Sequence, residues 1–190
     1  MITGIILASG FSKRMKRDKL LLEIKGSTII ERVIKACVES KLDKVILVYR
    51  NPMVKEIGEK YKVETIYNEN AYLGQSEGMK LGIINARDST SYMFLVGDQP
   101  FLTSELINKL IQEYKEANLP ILVPYYNENR GMPMIISSIY KKELLKVEGD
   151  KGGRDIVNKY SEKVKKVYIR DETLGLDMDT PEDLVILKDL

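Results

Sequence analysis

The chain has 190 residues, 44% of them hydrophobic, and 30 basic against 28 acidic side chains for a net charge of +2, which suits one globular domain over residues 1–190 and argues against general binding to nucleic acid or an acidic membrane. A single cysteine, Cys37, excludes an internal disulfide framework and a Cys-rich metal site; with no basic leader at Met1–Ala8 and no apolar run of membrane-spanning length, a cytoplasmic chain is expected. Histidine is absent, so the commonest general base and zinc ligand are missing and the chemistry must rest on carboxylates, cations and backbone groups.

The first apolar run, Ile2–Ala8, predicts a strand, and it leads into a loop, Ser9–Lys19, in which one glycine and two hydroxyls precede a dense group of cations. A first helix is predicted over Thr28–Ser40, where Ile30, Val33, Ile34, Cys37 and Val38 form one apolar stripe and Thr28 and Glu31 have the spacing of a capping box. Cys37 is therefore expected to be a small core residue without a chemical role. Further strands are expected at Lys44–Tyr49, Val63–Tyr67, Tyr92–Val96, Pro120–Val123, Met134–Ile136 and Val164–Ile169, with helix-like segments between them, including Gln75–Ala86. Val45–Val48 and Met93–Val96 are apolar without alternation, the pattern of strands covered on both faces. The polar stretch Tyr125–Arg130 is expected to be a mobile loop. Thr180-Pro181-Glu182-Asp183 supplies an N-cap, a first-turn proline and first-turn acids for a terminal helix. The sum is an α/β fold with a mostly parallel sheet flanked by helices.

The loop after the first strand suits a triphosphate. Gly10 lets backbone amides approach phosphate oxygens with no Cβ in the way, and Arg14 and Lys19 are the natural cationic partners. Neither the Gly-Lys-Ser/Thr phosphate loop nor the three-glycine dinucleotide fingerprint is matched. Asp98 follows Tyr92–Val96 at its carboxyl end, where ligands of open α/β sheets gather, and a carboxylate there is suited to Mg2+. A second acid is expected from Asp177 or Asp179, which alternate on an extended segment so that one of the two faces the site; Asp179 is preferred, with Asp177 as its substitute. Gln75 offers a donor and an acceptor to a base edge and Gly74 permits close approach, while a plain helix cap reads equally well from the spacing.

Leu7-Ala8-Ser9-Gly10-Phe11-Ser12-Lys13-Arg14-Met15 followed by Lys19-Leu20-Leu21 resembles the signature loop of the MobA-like nucleotidyltransferases, the molybdenum cofactor guanylyl- and cytidylyltransferases. Gly74-Gln75-Ser76, Gly97-Asp98-Gln99-Pro100, Arg130-Gly131-Met132-Pro133, Gly149–Arg154 and Asp177–Asp183 follow in the same order and resemble the cytidylyl branch. The resemblance implies a Rossmann-like nucleotidyltransferase fold. By the same resemblance, Leu7, Ala8, Ser9, Gly10, Gly74, Gln75 and Ser76 join Arg14 and Lys19 around the nucleotide. Arg14, Lys19 and Asp98 are then catalytic, and Arg130, Gly131, Pro133 and Arg154 receive the acceptor. CTP and molybdopterin are the implied substrates, with a molybdenum hydroxylase as a partner for the dinucleotide product.

Two positions depart from the family pattern: Lys16 stands where a glycine is usual, and Ser9 where guanylyl enzymes have glycine and cytidylyl enzymes alanine. A Cβ at Ser9 narrows the base pocket and favours a pyrimidine. The expected reaction is in-line attack by an acceptor phosphate oxygen on the α-phosphorus, with release of pyrophosphate. A phosphate monoester is already ionised near neutrality, so no general base is needed and the lack of histidine is unsurprising. The competing readings are guanylyl transfer to the same cofactor, cytidylyl or uridylyl transfer to a polyol or sugar phosphate, and a pterin carrier without turnover. Arg14, Lys19 and Asp98 together argue against the carrier, which has no use for a triphosphate and metal site.

Overall fold

The computed structural model describes residues 1–11, 18–178 and 183. In chain order the strands and helices are β1 (Ile2–Ala8), β2 (Glu23–Ile24), β3 (Ser27–Thr28), α1 (Ile29–Val38), β4 (Lys44–Tyr49), α2 (Pro52–Lys60), β5 (Glu64–Tyr67), α3 (Gln75–Asn85), β6 (Ser91–Val96), α4 (Ser104–Ala117), β7 (Ile121–Tyr126), β8 (Asn129–Arg130), β9 (Met134–Ser137), α5 (Lys141–Leu144), α6 (Arg154–Lys159) and β10 (Val164–Ile169). The main sheet has the order β10-β7-β9-β6-β1-β4-β5. Its pairs are parallel except those of β9 with β6 and β7 and of β8 with β7.

Period-2 alternation sends the strand residues to two different helical layers. Ile6, Leu47, Met93, Leu95 and Leu122 pack with Val33 and Ile34 of α1 and Ile107 and Leu110 of α4. On the opposite face, Ile5, Ile46, Phe94 and Val123 pack with Met79 and Ile83 of α3, Leu144 of α5 and Ile156 of α6. Both faces are covered, which is why these strands carry apolar residues without alternation. Among the described residues no helix is long and apolar enough to cross a membrane.

Several local expectations are corrected. Tyr125–Arg130 is a hairpin: β7 continues to Tyr126, and Asn127 and Glu128, both at positive φ, turn it into β8 with Tyr125 opposite Arg130. Two left-handed residues are what a two-residue hairpin turn requires, and asparagine tolerates that conformation well. Val38 is 45% exposed, and Ile29 and Ala36 take its place on the buried face of α1. Only half of the expected capping box forms. The Glu31 amide donates to Thr28 Oγ1 (3.2 Å), but the Glu31 carboxylate accepts from Ser27 Oγ (3.0 Å), Lys60 Nζ (2.7 Å) and Tyr61 OH (3.0 Å), tying α1 to α2. The bond from Lys60, with those from Tyr61 and Ser27, outweighs partial burial and brings the Glu31 pKa down to about 2. Cys37 is buried as expected, and burial pushes its thiol up. The predicted start of a terminal helix at Thr180–Glu182 lies outside the described residues.

Candidate active site

From β1 the chain moves outward through β4 to β5 and then returns to the other side of β1 as β6. The carboxyl ends of β1 and β6 are therefore the switch point at which an open parallel sheet leaves a crevice for ligands. The two strands end side by side, Leu7 opposite Val96, and the Gly97 amide donates to Leu7 O (3.1 Å). At the same edge stands Asp18, whose carboxylate accepts from the Leu20 amide (3.2 Å) and from Asn51 Nδ2 (2.9 Å). These bonds hold the short turn Lys19–Leu21 so that Lys19 Nζ lies 2.6 Å from Asp98 Oδ2, with the two side chains 15% and 20% exposed. Asp98 Oδ1 is buried and has no hydrogen-bond partner among the described residues.

Two cavities open at this edge. The smaller, about 550 Å³, is lined by Leu7–Phe11, Lys19, Tyr72–Gln75, Gly97, Asp98 and Asp150. The larger, about 1010 Å³, is lined by Tyr125, Tyr126, Arg130, Gly131, Lys151–Arg154 and Asp177, among others. Leu7, Gln75, Val96 and Asp98 line both, so the cavities adjoin at the ion pair.

Of the expected nucleotide-binding residues, Leu7, Ala8, Ser9, Gly10, Lys19, Gly74 and Gln75 line the smaller cavity. Ser76 does not line it; its hydroxyl is buried without a partner among the described residues. Of the expected acceptor residues, Arg130, Gly131 and Arg154 line the larger cavity, whereas Pro133 is buried and does not. Arg14 and Asp179 lie outside the described residues. Asp177 lines the larger cavity: Gln99 Nε2 donates to Asp177 Oδ1 (2.9 Å) and to Gly175 O (3.1 Å), and the Met178 amide donates to Asp98 O (2.9 Å). Among the described residues no group of three or more acidic, cysteine or histidine side chains is gathered for a metal.

Sequence reasoning gave no role to four residues at the site. Asn68, one position beyond β5, donates from Nδ2 to Ser9 Oγ (2.9 Å) and so takes up the hydroxyl of the unusual loop serine. Its place at the carboxyl end of a strand is the signal that could have found it. Asp150 accepts the Gln75 amide on Oδ1 (3.0 Å), so the cap of α3 comes from a distant segment and not from the side chain of Gln75. Tyr125 holds Arg130, whose Nε donates to the tyrosine OH (3.1 Å) while its Nη1 donates to Asn158 Oδ1. Tyr126 supports the larger cavity from below. Its OH donates to Met132 O (2.9 Å), and a Cβ on Gly131 or Gly175 would come within 2.5 or 2.7 Å of its ring. Burial, assisted by the charge of Asp177, pushes the Tyr126 phenol up.

A parallel sheet with a glycine loop, a cation and a carboxylate at its switch point defines a Rossmann-like enzyme for phosphorylated ligands. Residues 4–164 match the MobA-like NTP transferase domain, and the chain belongs to that family of nucleotidyltransferases. It is 29% identical over 154 residues to a probable molybdenum cofactor guanylyltransferase of Methanosarcina acetivorans, over 77% of this chain and 67% of that protein. It is 34% identical over 131 residues to the 2-C-methyl-D-erythritol 4-phosphate cytidylyltransferase of Dictyoglomus thermophilum, over 64% of this chain and 55% of that one. The chain thus spans between about half and two-thirds of these relatives. Among solved structures, Rv0371C of Mycobacterium tuberculosis H37Rv, in complex with manganese, superposes with a TM-score of 0.82 at 22% identity over 99% of this chain and 98% of that one, a likeness of fold.

Proposed function

We propose that this nucleotidyltransferase joins a cytidylyl group from CTP to the phosphate of molybdopterin, with Mg2+ and with release of pyrophosphate. One observation carries the reading: a cavity walled by the glycine loop and Lys19 and a second walled by Arg130, Lys151 and Arg154 adjoin at Asp98 and Gln75. Two phosphorylated ligands in these cavities bring their reactive ends to one carboxylate, the arrangement that transfer between them needs. The base preference is supported by Ser9. Its hydroxyl is bound to Asn68 and faces Gly78, where a Cβ would come within 3.2 Å of it, so the wall has less room for a purine than a glycine would leave.

In this reading Lys19, with Arg14, neutralises the triphosphate, and Asp98 would hold Mg2+. The Oδ1 of Asp98, buried and without a partner among the described residues, is a hard oxygen donor that fits such a cation, and a site of one or two carboxylates completed by substrate phosphates needs no three-residue cluster. Asp179 is the preferred second acid, and the tie of Gln99 to Asp177 makes Asp177 its alternative. When bound, Mg2+ supplies charge neutralisation for the departing pyrophosphate. Arg130, held by Tyr125 and Asn158, and Arg154 orient the acceptor phosphate, which is ionised and attacks without a general base. Guanylyl transfer is the second reading, favoured by the name of the Methanosarcina relative.

The test is pyrophosphate release from purified protein, molybdopterin and Mg2+ with CTP, GTP, ATP and UTP presented singly. Release with CTP alone is the expected result. Release with GTP alone establishes the guanylyl reading, and release only when a polyol or sugar phosphate replaces molybdopterin overturns the acceptor.

A further inference from the structure

The segment Gly149–Arg154 has one foot in each cavity. Asp150 lines the smaller and Lys151–Arg154 the larger, and Gln75, against which the segment packs, lines both. The packing is close: a Cβ on Gly74 would come within 2.5 Å of the Gly149 carbonyl carbon, and one on Gly152 within 3.1 Å of Gln75 Oε1. The first turn of α3 needs an outside partner, because Gly74 has no side chain with which to cap it. Asp150 supplies that partner from 75 residues away by accepting the Gln75 amide at 3.0 Å. Gly149 and Gly152 on either side are both at positive φ (68° and 56°), a conformation that glycine adopts without strain, and this bond with the glycine contacts joins the segment to the start of α3.

We infer that Asp150 is a positioning residue that latches the acceptor wall to the nucleotide end of α3, so that the start of α3 and Gly149–Arg154 order and loosen together. The inference rests on the two-cavity reading above for its consequence: a nucleotide that orders Gln75 also orders Lys151–Arg154 for the acceptor, and by reciprocity the acceptor tightens nucleotide binding. The latch works through a single accepted hydrogen bond, so a carbonyl oxygen in the same place preserves it. Asp150→Asn is therefore the conservative variant and Asp150→Ala the disruptive one.

Hydrogen–deuterium exchange tests the latch first without any ligand. Asp150→Ala is expected to speed exchange on the order of tenfold both at Gln75–Met79 and at Gly149–Val157, with α1 unchanged as the sign of an intact fold, while Asp150→Asn stays near wild type. Acceleration in only one of the two segments, or in neither, overturns the latch. CTP with Mg2+ is then added. In wild type and Asp150→Asn it is expected to slow exchange at Lys151–Val157 as well as at Leu7–Gly10, and in Asp150→Ala at Leu7–Gly10 alone. Protection of Leu7–Gly10 without Lys151–Val157 in wild type overturns the coupling. No protection at Leu7–Gly10 counts against the CTP reading, and the ligand-free comparison alone then decides whether the latch stands.

Discussion

Replacing Lys19 by methionine removes the charge that sits 2.6 Å from Asp98 Oδ2 and keeps most of the side-chain volume. At that distance the gross attraction is about 6 kcal/mol at an effective dielectric near 20, most of it offset by desolvation and by the water that reaches side chains 15% and 20% exposed. The net worth of the pair to the free protein is expected to be about 1 kcal/mol, read as the coupling in a denaturant-unfolding cycle of Lys19→Met, Asp98→Asn and the double variant. The larger effect is expected on transfer. A charge-assisted bond to phosphate is worth about 1.5–3 kcal/mol, so kcat/KM for the nucleotide should fall roughly 10- to 150-fold, measured by pyrophosphate release. Asp98→Asn should abolish metal-dependent turnover while leaving the unfolding transition cooperative. A Lys19→Met enzyme within twofold of wild type in kcat/KM, or strictly additive unfolding energies, would refute the assignment of this pair to the reacting centre.

Glu31→Gln tests the joint between α1 and α2. The folded pKa is about 2 against an ordinary value of 4.5, so the carboxylate's contribution is complete above about pH 5 and is lost as pH falls toward 2. The contribution is about 2 kcal/mol after screening at the exposed Lys60, and the stability gap between wild type and Glu31→Gln should narrow on acidification in urea titrations. Gly82→Ala would drive a Cβ into Ile5 Cγ2 at the centre of β1, and the overpacking should exceed the gain in helix propensity, lowering stability by about 1–2 kcal/mol with an unchanged denaturant slope. Ser9→Gly removes the acceptor of Asn68 Nδ2 and widens the wall of the smaller cavity; the ratio of kcat/KM for GTP to that for CTP should rise about tenfold. Tyr126→Phe keeps the ring beneath Gly131 and Gly175 and loses only the bond to Met132 O, so it should cost about 1 kcal/mol in thermal unfolding, whereas Tyr126→Ala should also raise KM for the acceptor.

Strands β1, β4 and β10 run between the residues that apolar patterning predicts, because nothing beyond local hydrophobicity is needed to see them. The same patterning ends β7 at Val123, because Pro124 and the polar residues after it read as loop; the strand tolerates the proline, and its far end is held by a hairpin whose turn residues have no glycine to announce them. The contrast at the site is similar. Gly10, Lys19 and Asp98 are legible because each lies directly after a strand or on the loop that follows one, a relation visible in one dimension. Asn68 meets Ser9 across 59 residues and Asp150 meets Gln75 across 75, and neither approach leaves a local pattern.

The near balance of charge, which argues against anionic partners in general, takes on another meaning at the switch point. Lys19 is neutralised by Asp98, and the cations of the larger cavity share it with Glu128, Glu172 and Asp177. Among the described residues, the site relies on short-range contacts more than on a long-range field, which salt would screen within about 10 Å. On the proposed reading it offers short-range partners that must be exchanged: a triphosphate would take Lys19 from Asp98, and the carboxylate so exposed would be costly near the phosphates unless a cation joined it. On the proposed reading, anion and cation then enter together, and the Lys19–Asp98 pair favours a triphosphate in its metal-bound form.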